Sequence, residues 1–484
     1  MVATPKPLVR AVAVGGFCVV LLLLWSYRHT TSSTFSSWAS GSGRKRAPCP
    51  PQAYNAGQWV YDASRNLNHS AVDASGQPIS PAPHREVRER EDIISMAGFE
   101  GCASNREFWW HLAADKPSQY GRWPDVDNWD WVPPEEQCEL RKWRKEEMVL
   151  DLVEKGGWLL IGDSVTENHF FSLSCMLYPH VLATPDYVAN PYFDRAWPQH
   201  LYLNPASPLL TSSNILGRAL RLPKGFNLTG TPLVTFRRVD LLLNQPQLEE
   251  LHRDKYPEMY TAAVDTTTED EGFKLFSKEA AWSLDFDYVR ELFQKPLPEA
   301  NYGTMVASTG GHWTTTLFAG YRDESKASEG YGIDGVVAFF EQAMTKWAGD
   351  VQDALDESQG GRKSGGVVQA NGKKAPRQVV IRAYLPGHED CHDHKKAWTD
   401  IQPMRWFWYN WGNIWQYNDV FERVLSSPSF PNVHFLGIDR PARLRPDAHV
   451  ASDCLHIMTG AGVLEGWTHY VWHYVTVEVW SKVR

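Results

Sequence analysis

The sequence has no excess of basic residues, no Cys-x-x-Cys pair, no recognisable glycine-rich phosphate-binding loop and no repeat of fixed period. Its 57 acidic residues outnumber the 48 basic ones, and the formal net charge is −9. Because binding to nucleic acid phosphates depends on Lys and Arg, this balance argues against a nucleic acid partner. The scattered cysteines also lack zinc-ligand spacing, so we expect no metal site.

The N-terminus has the pattern of a membrane-targeting signal. Lys6 and Arg10 precede a continuous apolar run that ends shortly before Arg28. The run is close to the shortest helix able to cross a hydrocarbon core of roughly 30 Å. A cleaved signal peptide is the alternative. The prediction is a cytoplasmic tail, an uncleaved signal-anchor transmembrane helix and a flexible stem rich in Ser, Thr and Gly, at residues 1–10, 11–27 and 28–48.

Two further features suit a secretory lumen. Asn68 and Asn227 each begin an Asn-x-Ser/Thr triplet, the acceptor pattern for N-glycosylation. Cys18 lies inside the apolar run, and an even number of cysteines follows it, which fits a disulfide framework in an oxidising compartment. The connectivity is open at this point. We expect all six of these cysteines to be oxidised: Cys49, Cys102, Cys138, Cys175, Cys391 and Cys454.

Short apolar runs alternate with helical patterns through much of the chain. Residues 158–161 are apolar, and 164–177 repeat apolar side chains at helical spacing, which predicts a strand, a tight turn and a helix. Strands separated by helices predict an α/β fold of three layers, with a mostly parallel sheet covered on both faces. Further buried strands are predicted at 305–307, 379–384 and 433–438, and a helix through Val336, Phe340, Ala343 and Trp347.

The predicted luminal domain, 49–484, divides into two regions. Residues 57–139 are rich in Trp, Pro and charged side chains with little periodicity, which predicts an irregular, disulfide-tied lobe over 49–150. The α/β core would then occupy 151–484. Inside it, 358–376 is dominated by Gly, Ser, Lys and Gln and predicts a surface loop. Most of the 22 tryptophans are expected in the core, so none is assigned to a sugar subsite.

Gly162, Asp163 and Ser164 stand where the first predicted strand meets its helix. Ligands of open α/β sheets bind at the carboxyl ends of strands, and a helix N-terminus offers unpaired N–H groups to a developing oxyanion. Ser164 is therefore a candidate nucleophile, with Gly162 permitting the sharp turn. The alternative is that Ser164 only caps the helix.

A carboxylate and a histidine lie three residues apart near the C-terminus. On a turn, Asp453 can hydrogen-bond one imidazole nitrogen of His456 and fix the tautomer whose other nitrogen faces a nucleophile. Alone, this spacing is common and can be an incidental turn. Combined with Ser164, it predicts a site in which Ser164 is the nucleophile, His456 the base and Asp453 the partner of that base.

A series of short motifs runs in a fixed order along residues 49–484. They are CP (49–50), GQWV (57–60), WDWVP (129–133) before Cys138, GDSVTEN (162–168), GHW (311–313), Arg382 on a strand before PGH (386–388), and DCLH (453–456). In these motifs the chain resembles the PC-esterase or trichome birefringence-like family of polysaccharide O-acetyltransferases, within the wider group of GDSL/SGNH hydrolase-like enzymes.

The resemblance implies an SGNH-like fold and the same three roles for Ser164, His456 and Asp453. It also implies further positions that could contact substrate or the oxyanion. Three weaker candidates are His312, Arg382 and His388. Each of them could equally be a structural residue with no substrate contact. The substrate or oxyanion candidates are Gly162, Asp163, Asn168, Gly311, His312 and Arg382.

The activity that the resemblance implies is transfer of an acetyl group to hydroxyls of a glycan or cell-wall polysaccharide through an acetyl-serine intermediate. Acetyl-CoA is the implied donor, with no bound cofactor, and the implied location is the Golgi membrane, as a single-pass type II protein with its catalytic domain in the lumen. An O-acetylesterase of the same fold is an alternative, because only the second acceptor differs. A catalytically degenerate glycan-binding protein is another.

The sequence departs from the family pattern at two places. Thr309 stands where the family usually has Asn before Thr-Gly-His-Trp or Ser-Gly-His-Trp, which leaves the side-chain oxyanion donor open. After His456, Ile457 replaces the usual Trp, and Met458 and Thr459 replace Leu-Pro. Acceptor specificity is therefore expected to differ from that of the plant members.

Overall fold

The computed structural model describes residues 48–184, 198–211, 217–261, 272–360, 366–407 and 409–479. The predicted tail, the predicted anchor and all of the predicted stem except Pro48 lie outside these ranges, so they stay predictions. No helix in the described ranges is both long enough and apolar enough to cross a membrane.

The strands are numbered here in chain order. They are β1 (Gln58–Tyr61), β2 (Trp129–Val132), β3 (Gly157–Gly162), β4 (Val181–Thr184), β5 (Gln199–Leu203), β6 (Pro232–Arg238), β7 (Tyr302–Ser308), β8 (Val367–Val368), β9 (Lys374–Ala375), β10 (Gln378–Arg382) and β11 (Val433–Leu436).

The α-helices are numbered in the same way. They are α1 (Pro51–Asn55), α2 (Asp92–Met96), α3 (Phe108–His111), α4 (Lys145–Glu154), α5 (Ser164–Met176), α6 (Gln245–Lys255), α7 (Pro257–Thr261), α8 (Phe286–Gln294), α9 (Ile333–Gly360), α10 (Ile414–Leu425), α11 (Arg440–Arg443) and α12 (Val463–His473). Short 3₁₀ turns join many of them, and a π-helical turn, Tyr474–Glu478, follows α12.

The central sheet has seven strands in the order β11-β10-β7-β3-β6-β5-β4. Neighbouring strands from β11 to β6 are parallel, whereas β5 is antiparallel to both β6 and β4. The prediction of a mixed α/β protein with a mostly parallel sheet is thereby confirmed. All four strands predicted from apolar runs, namely β3, β7, β10 and β11, lie in the parallel part. The antiparallel edge was not predicted.

The middle of the sheet is covered on both faces. Every residue of β3 and β7 is buried, which is the continuous burial typical of a parallel strand between helical layers. Gly162 is required where β3 ends, because a Cβ there would lie 2.6 Å from the carbonyl oxygen of Ser308 on β7. The close approach of β3 to β7 therefore fixes where the chain turns into α5.

The helices over the sheet follow the predicted patterns. The stripe Val336, Phe340, Ala343 and Trp347 on α9 is buried as expected, and the Phe340 ring packs 5.2 Å from Phe421 on α10. Helix α5 is buried from Val165 to Cys175, and it packs against α12. A helix buried on all sides is held rigidly, so its first residue, Ser164, has a fixed position.

The segment 358–376, predicted to be a surface loop, contains more structure than expected. Helix α9 continues to Gly360, and β8 and β9 form a short antiparallel hairpin. The prediction of a loop without regular structure is wrong for those residues. Asn301 explains part of the difference, because its side-chain oxygen accepts a hydrogen bond from the Val368 N–H at 2.9 Å and its amide donates one to the Val368 carbonyl at 2.8 Å.

The lobe predicted at 49–150 has little regular structure. It contains the short helices α1 to α3 and the antiparallel pair β1–β2, while α4 at its end already contacts β3. The predicted oxidation of the six cysteines is confirmed. The pairs are Cys49–Cys138 within the lobe, Cys102–Cys175 between the lobe and α5, and Cys391–Cys454 between two loops of the core.

Asn68 and Asn227 both lie exposed in turns. In each turn the asparagine side-chain oxygen accepts a backbone N–H two residues later, from Ser70 at 3.2 Å and from Thr229 at 3.0 Å. An exposed turn is accessible to a glycosylating enzyme, and glycosylation itself stays a prediction.

Disulfide mapping tests the pairing. Protease digestion without reduction, with free thiols blocked first, should release three cross-linked peptide pairs: Cys49 with Cys138, Cys102 with Cys175, and Cys391 with Cys454. A reduced and alkylated digest is the control, since all three pairs should then be absent. Mass spectra showing blocked thiols at these positions, or different partners, would contradict the fold of the lobe.

Candidate active site

The turn between β3 and α5 presents Ser164 at the first helical position. Asp163, not Ser164, is the N-cap: its backbone is extended, and its carboxylate accepts the Val165 N–H at 3.0 Å. The alternative in which Ser164 merely caps the helix is therefore wrong. Because the cap is supplied by its neighbour, the Ser164 hydroxyl is available for another contact, and the side chain is partly exposed.

The structure brings Ser164, His456 and Asp453 together although 292 positions separate the serine from the histidine. His456 Nε2 lies 2.6 Å from Ser164 Oγ, and His456 Nδ1 lies 3.0 Å from Asp453 Oδ2. A neutral His456 that donates its Nδ1–H to the carboxylate has Nε2 free to accept the serine proton. The geometry therefore provides a continuous path for that proton.

Asp453 is fixed by more than the imidazole. Its Oδ1 accepts the backbone N–H groups of Leu455 and His456, each at 2.9 Å. Burial raises the pKa of the Asp453 carboxyl, but the hydrogen bonds and the charge of His456 outweigh burial and lower that pKa to about 2. Asp453 is consequently ionised at neutral pH and can stabilise an imidazolium.

Asp163 ties the turn between β3 and α5, which carries Ser164, to a neighbouring strand. It is fully buried, and its Oδ2 accepts the Tyr384 hydroxyl at 2.6 Å. Tyr384 follows β10, so this bond joins the ends of β3 and β10. The Arg382 guanidinium supplies a nearby positive charge, and burial lowers its pKa to about 10, a value at which it is still charged at neutral pH.

Gly311 lies against the same tyrosine. A Cβ at Gly311 would approach the Tyr384 hydroxyl oxygen to 2.3 Å, so the segment after β7 requires glycine to pass it. That contact places Gly311 beside the Asp163 turn at the carboxyl edge of the sheet. Thr309, two residues before Gly311, is buried, and its hydroxyl donates to the Asp240 carbonyl at 2.8 Å.

His312 forms a second histidine–carboxylate pair at this edge. His312 Nε2 lies 3.4 Å from Asp240 Oδ1, and 28% of the His312 side chain is exposed. Asp240 follows β6 and is itself fully buried. Its other oxygen accepts the Trp282 N–H at 2.7 Å, and burial raises the pKa of the Asp240 carboxyl. His312 is therefore oriented by Asp240 and reaches solvent.

Three of the predicted substrate or oxyanion candidates have side chains too buried to contact a substrate in this structure: Asp163, Asn168 and Arg382. Asn168 Nδ2 lies 2.9 Å from His111 Nδ1. Arg382 Nη2 donates to Thr166 Oγ1 at 3.4 Å, and its guanidinium lies 4.0 Å from the centre of the Trp467 ring. These contacts hold α5 in place. Gly162 acts through the backbone turn already described.

His388 lies behind the loop that carries His456. His388 Nδ1 is 2.6 Å from His449 Nε2, and His449 Nδ1 is 3.2 Å from the His456 carbonyl oxygen. Burial lowers the pKa of His388 to about 4 and the pKa of His449 well below its usual value. Both are therefore neutral at pH 7 and support the loop from inside.

Sequence reasoning did not identify the contribution of the irregular lobe. The Trp110 ring lies 5.2 Å from the His456 ring, and its Nε1 donates to Ser452 Oγ at 2.6 Å. The Thr459 N–H also donates to the His111 carbonyl at 2.8 Å. No sequence pattern links α3 to the DCLH motif, so only the folded structure could reveal this wall of the site.

A group of metal-ligating side chains lies next to the site. Cys391, His392 and Cys454 have ligand atoms within 4.8 Å of one another. The two sulfur atoms form the Cys391–Cys454 disulfide, so they offer no thiolate to a metal ion. The bond instead fixes Cys454, the residue that follows Asp453.

The fold and the site define a mixed α/β protein with a serine–histidine–aspartate arrangement at the carboxyl edge of a mostly parallel sheet. A scan against protein-family models finds no match to this chain, and a search of curated proteins finds no match either. The comparisons therefore assign no family.

The Asp163–Tyr384 bond can be tested with a single-atom change. In Tyr384→Phe the buried Asp163 oxygen loses its donor, so the free energy of unfolding should fall by about 1–3 kcal/mol. Hydrolysis of 4-nitrophenyl acetate per folded molecule should fall as well, because the turn that carries Ser164 is loosened.

Tyr417→Phe is the matched control. Tyr417 is another buried tyrosine, and its hydroxyl donates to the Trp313 carbonyl rather than to Asp163. The Tyr417→Phe variant should lower the free energy of unfolding to a similar degree. Its rate of 4-nitrophenyl acetate hydrolysis per folded molecule should be unchanged. Equal hydrolysis by both variants would show that Asp163 does not position the nucleophile.

The low pKa of Asp453 predicts a pH dependence of stability. Because the folded-state pKa lies below its ordinary value of 3.8, Asp453 stabilises the fold above about pH 4, and this contribution is lost as the pH falls toward about 2. The difference in unfolding free energy between wild type and Asp453→Asn should therefore be constant above about pH 5 and shrink below pH 4. Urea titrations from about pH 3 to about pH 7 measure this difference in unfolding free energy. A constant difference across that range would contradict the paired carboxylate.

Proposed function

We propose that this protein is a serine acyl-transfer enzyme that moves an acetyl group to a hydroxyl of a glycan or polysaccharide. The observation that carries the proposal is the unbroken contact series from Ser164 Oγ to His456 Nε2 and from His456 Nδ1 to Asp453 Oδ2, at 2.6 and 3.0 Å. Distances of this size are within hydrogen-bond reach and suit proton transfer.

In the first half-reaction Ser164 Oγ attacks the acetyl carbonyl of the donor, and His456 Nε2 takes the serine proton. The Asp453 carboxylate stabilises the imidazolium that forms. The tetrahedral intermediate then collapses to acetyl-Ser164, and the leaving group departs with the proton that His456 returns. With a thioester such as acetyl-CoA as donor, the leaving group is the thiol.

In the second half-reaction a hydroxyl of the acceptor attacks acetyl-Ser164. His456 removes the hydroxyl proton and passes it to Ser164 Oγ as the ester bond to serine breaks, so that the acetyl group ends on the sugar and the enzyme is regenerated. Water in place of the sugar would give the acetylesterase reaction. Only the second acceptor separates the two activities.

The developing oxyanion needs donors near Ser164. Thr309 does not fill this role in the structure, because its buried hydroxyl already donates to the Asp240 carbonyl. The first turn of α5 has N–H groups without helical partners and the positive end of the helix dipole. We assign the oxyanion to the Ser164 N–H and to the segment at Gly311, which lies against Tyr384, the residue whose hydroxyl donates to Asp163.

Three features support a place in the secretory lumen. The three disulfides require an oxidising compartment, Asn68 and Asn227 are exposed, and the predicted anchor precedes the folded unit. We therefore propose a type II membrane protein of the Golgi whose SGNH-like domain faces the lumen.

The test measures acetyl transfer from labelled acetyl-CoA to candidate polysaccharides by Ser164→Ala, His456→Ala and Asp453→Asn. Transfer should fall by several orders of magnitude in the first two variants, and by about 10⁴ in Asp453→Asn, because an amide can favour the wrong imidazole tautomer. Labelled acetyl should be trapped on the wild-type protein and be missing from Ser164→Ala.

Ser174→Ala is the matched control, because Ser174 is also on α5 but its hydroxyl donates to the Phe171 carbonyl. It should retain transfer once the rate is normalised to folded protein by thermal melt. Wild-type activity in Ser164→Ala would refute the mechanism. Release of labelled acetate without transfer to any polysaccharide would assign the esterase reaction instead.

A further inference from the structure

A cleft of about 610 Å³ opens at the end of α5 far from the nucleophile. Ser164 begins this helix and Met176 ends it, so at 1.5 Å per residue the cleft end lies roughly 18 Å from Ser164. The cleft is walled by β2, the residues after α2, the residues leading into α4, the end of α5 and the start of α12. Ligand sites typically occupy on the order of 300–1,000 Å³, so this cleft has room for more than one ring.

Three tryptophans give the cleft flat aromatic walls. Trp129 and Trp131 are two positions apart on β2 and therefore share one face of the strand. The Trp131 Nε1 donates to the Tyr54 carbonyl at 3.0 Å, which fixes its ring. Trp143 packs edge-on against Trp472 at 5.6 Å. All three lining rings are only half-buried, and such rings offer rigid apolar faces to a ligand.

Most charged groups that line the cleft are already paired. Arg65 forms an ion pair with Asp130, and Lys145 Nζ lies 2.8 Å from Glu100 Oε1. Glu465 accepts the backbone N–H groups of Gly460 and Gly462 at 3.1 and 2.9 Å. Arg144 Nε, also in the lining, lies 3.8 Å from Glu147 Oε1. Among the described residues, each Lys and Arg that lines the cleft therefore has a carboxylate partner, an arrangement that favours an uncharged ligand.

Asp127 differs from the other carboxylates of the cleft. Within the part of the chain that the structure describes, its side chain accepts no hydrogen bond and forms no ion pair, although its backbone carbonyl accepts from Arg65. Burial raises the pKa of the Asp127 carboxyl to about 7, with Glu465 adding to the effect and Arg65 opposing it. A half-buried carboxyl without donors from the protein is open to donors from a ligand, and sugar hydroxyls would supply them.

We propose that this cleft is a second binding site, separate from Ser164, for an uncharged oligosaccharide whose rings stack on Trp129, Trp131 and Trp143 and whose hydroxyls donate to Asp127. Saccharides combine apolar ring faces with hydroxyl donors, which matches the two kinds of surface present. The binding itself is independent of acyl transfer. Its use in holding a distant part of a polymeric acceptor rests on the proposed function.

The test uses the full-length chain with Ser164→Ala, which keeps the binding assay free of turnover. Isothermal titration is run with neutral β-1,4-linked oligosaccharides of xylose, mannose or glucose, each several sugars long. At least one series should bind. The titrations are run at about pH 9, where a carboxyl with a pKa of about 7 is ionised. Adding Asp127→Asn keeps the shape and removes the carboxylate, and affinity should fall roughly tenfold or more, the usual size for a hydrogen bond to a charged group.

Trp143→Ala is the second variant, and it removes a stacking face while Asp127 stays in place. We expect a loss of affinity comparable to that of Asp127→Asn. Asp125→Asn is the matched control, because Asp125 lies on the same short turn, is exposed and bonds Tyr61 and Asn66 outside the lining of the cleft. It should bind as the parent does, and thermal melts confirm that each variant is folded. Failure of every oligosaccharide to bind, or unchanged affinity in both Asp127→Asn and Trp143→Ala, would overturn the proposal.

These titrations measure binding alone. If the wild-type protein transferred no acetyl group, saccharide binding in the cleft would still support the second site. Conversely, an active enzyme whose cleft binds no saccharide would refute the second site and leave the acyl-transfer mechanism standing. The two proposals therefore fail separately.

Discussion

The buried carboxylate of Asp163 is the constraint on which the geometry of the site depends. A carboxylate with no exposed surface is stable only when its oxygens are bonded and its charge is balanced. Asp163 achieves this by capping α5 at Val165, by accepting the Tyr384 hydroxyl and by lying near Arg382. These partners come from α5 and from the end of β10, so satisfying one charge aligns the end of β3, the start of α5 and the end of β10. Ser164, the next residue, is positioned as a result.

His456, the proposed base, is held from the opposite side by a different set of contacts. Asp453 binds both the ring and the backbone of His456, and the Cys391–Cys454 disulfide anchors the same loop. The neutral pair His388 and His449 fills the space behind it. The loop that carries His456 therefore has little conformational freedom. In the proposed mechanism, a preorganised site of this kind needs little rearrangement at the transition state.

Much of the core was predictable because burial imposes simple patterns. Continuous apolar runs marked β3, β7, β10 and β11, helical spacing marked α5 and α9, and an even number of cysteines marked a disulfide framework. Strands β4, β5 and β6 were missed, and with them the antiparallel edge that β5 forms with its two neighbours. In β5, buried and half-buried residues alternate over only five positions, which is a weak signal. The β8–β9 hairpin depends on contacts with Asn301, which sequence spacing does not reveal.

The site was predictable to a similar extent. The two short motifs around Ser164 and His456 were recognised because their chemistry restricts residue type and spacing. Tyr384, Asp240, Trp110 and His449 were not, since each reaches the site through long-range packing. The Trp-rich cleft was missed for the same reason: tryptophans in a sequence do not show which of their faces stay exposed.

The central claim is that the folded chain activates Ser164 as a nucleophile through His456. The most direct measurement is labelling with a fluorophosphonate, which phosphonylates only an activated serine, followed by peptide mapping. The account predicts one adduct per chain, located on Ser164, formed far more slowly when His456 is alanine. Absence of an adduct on Ser164 in the folded wild-type protein, or labelling that is unaffected by loss of His456, would contradict it.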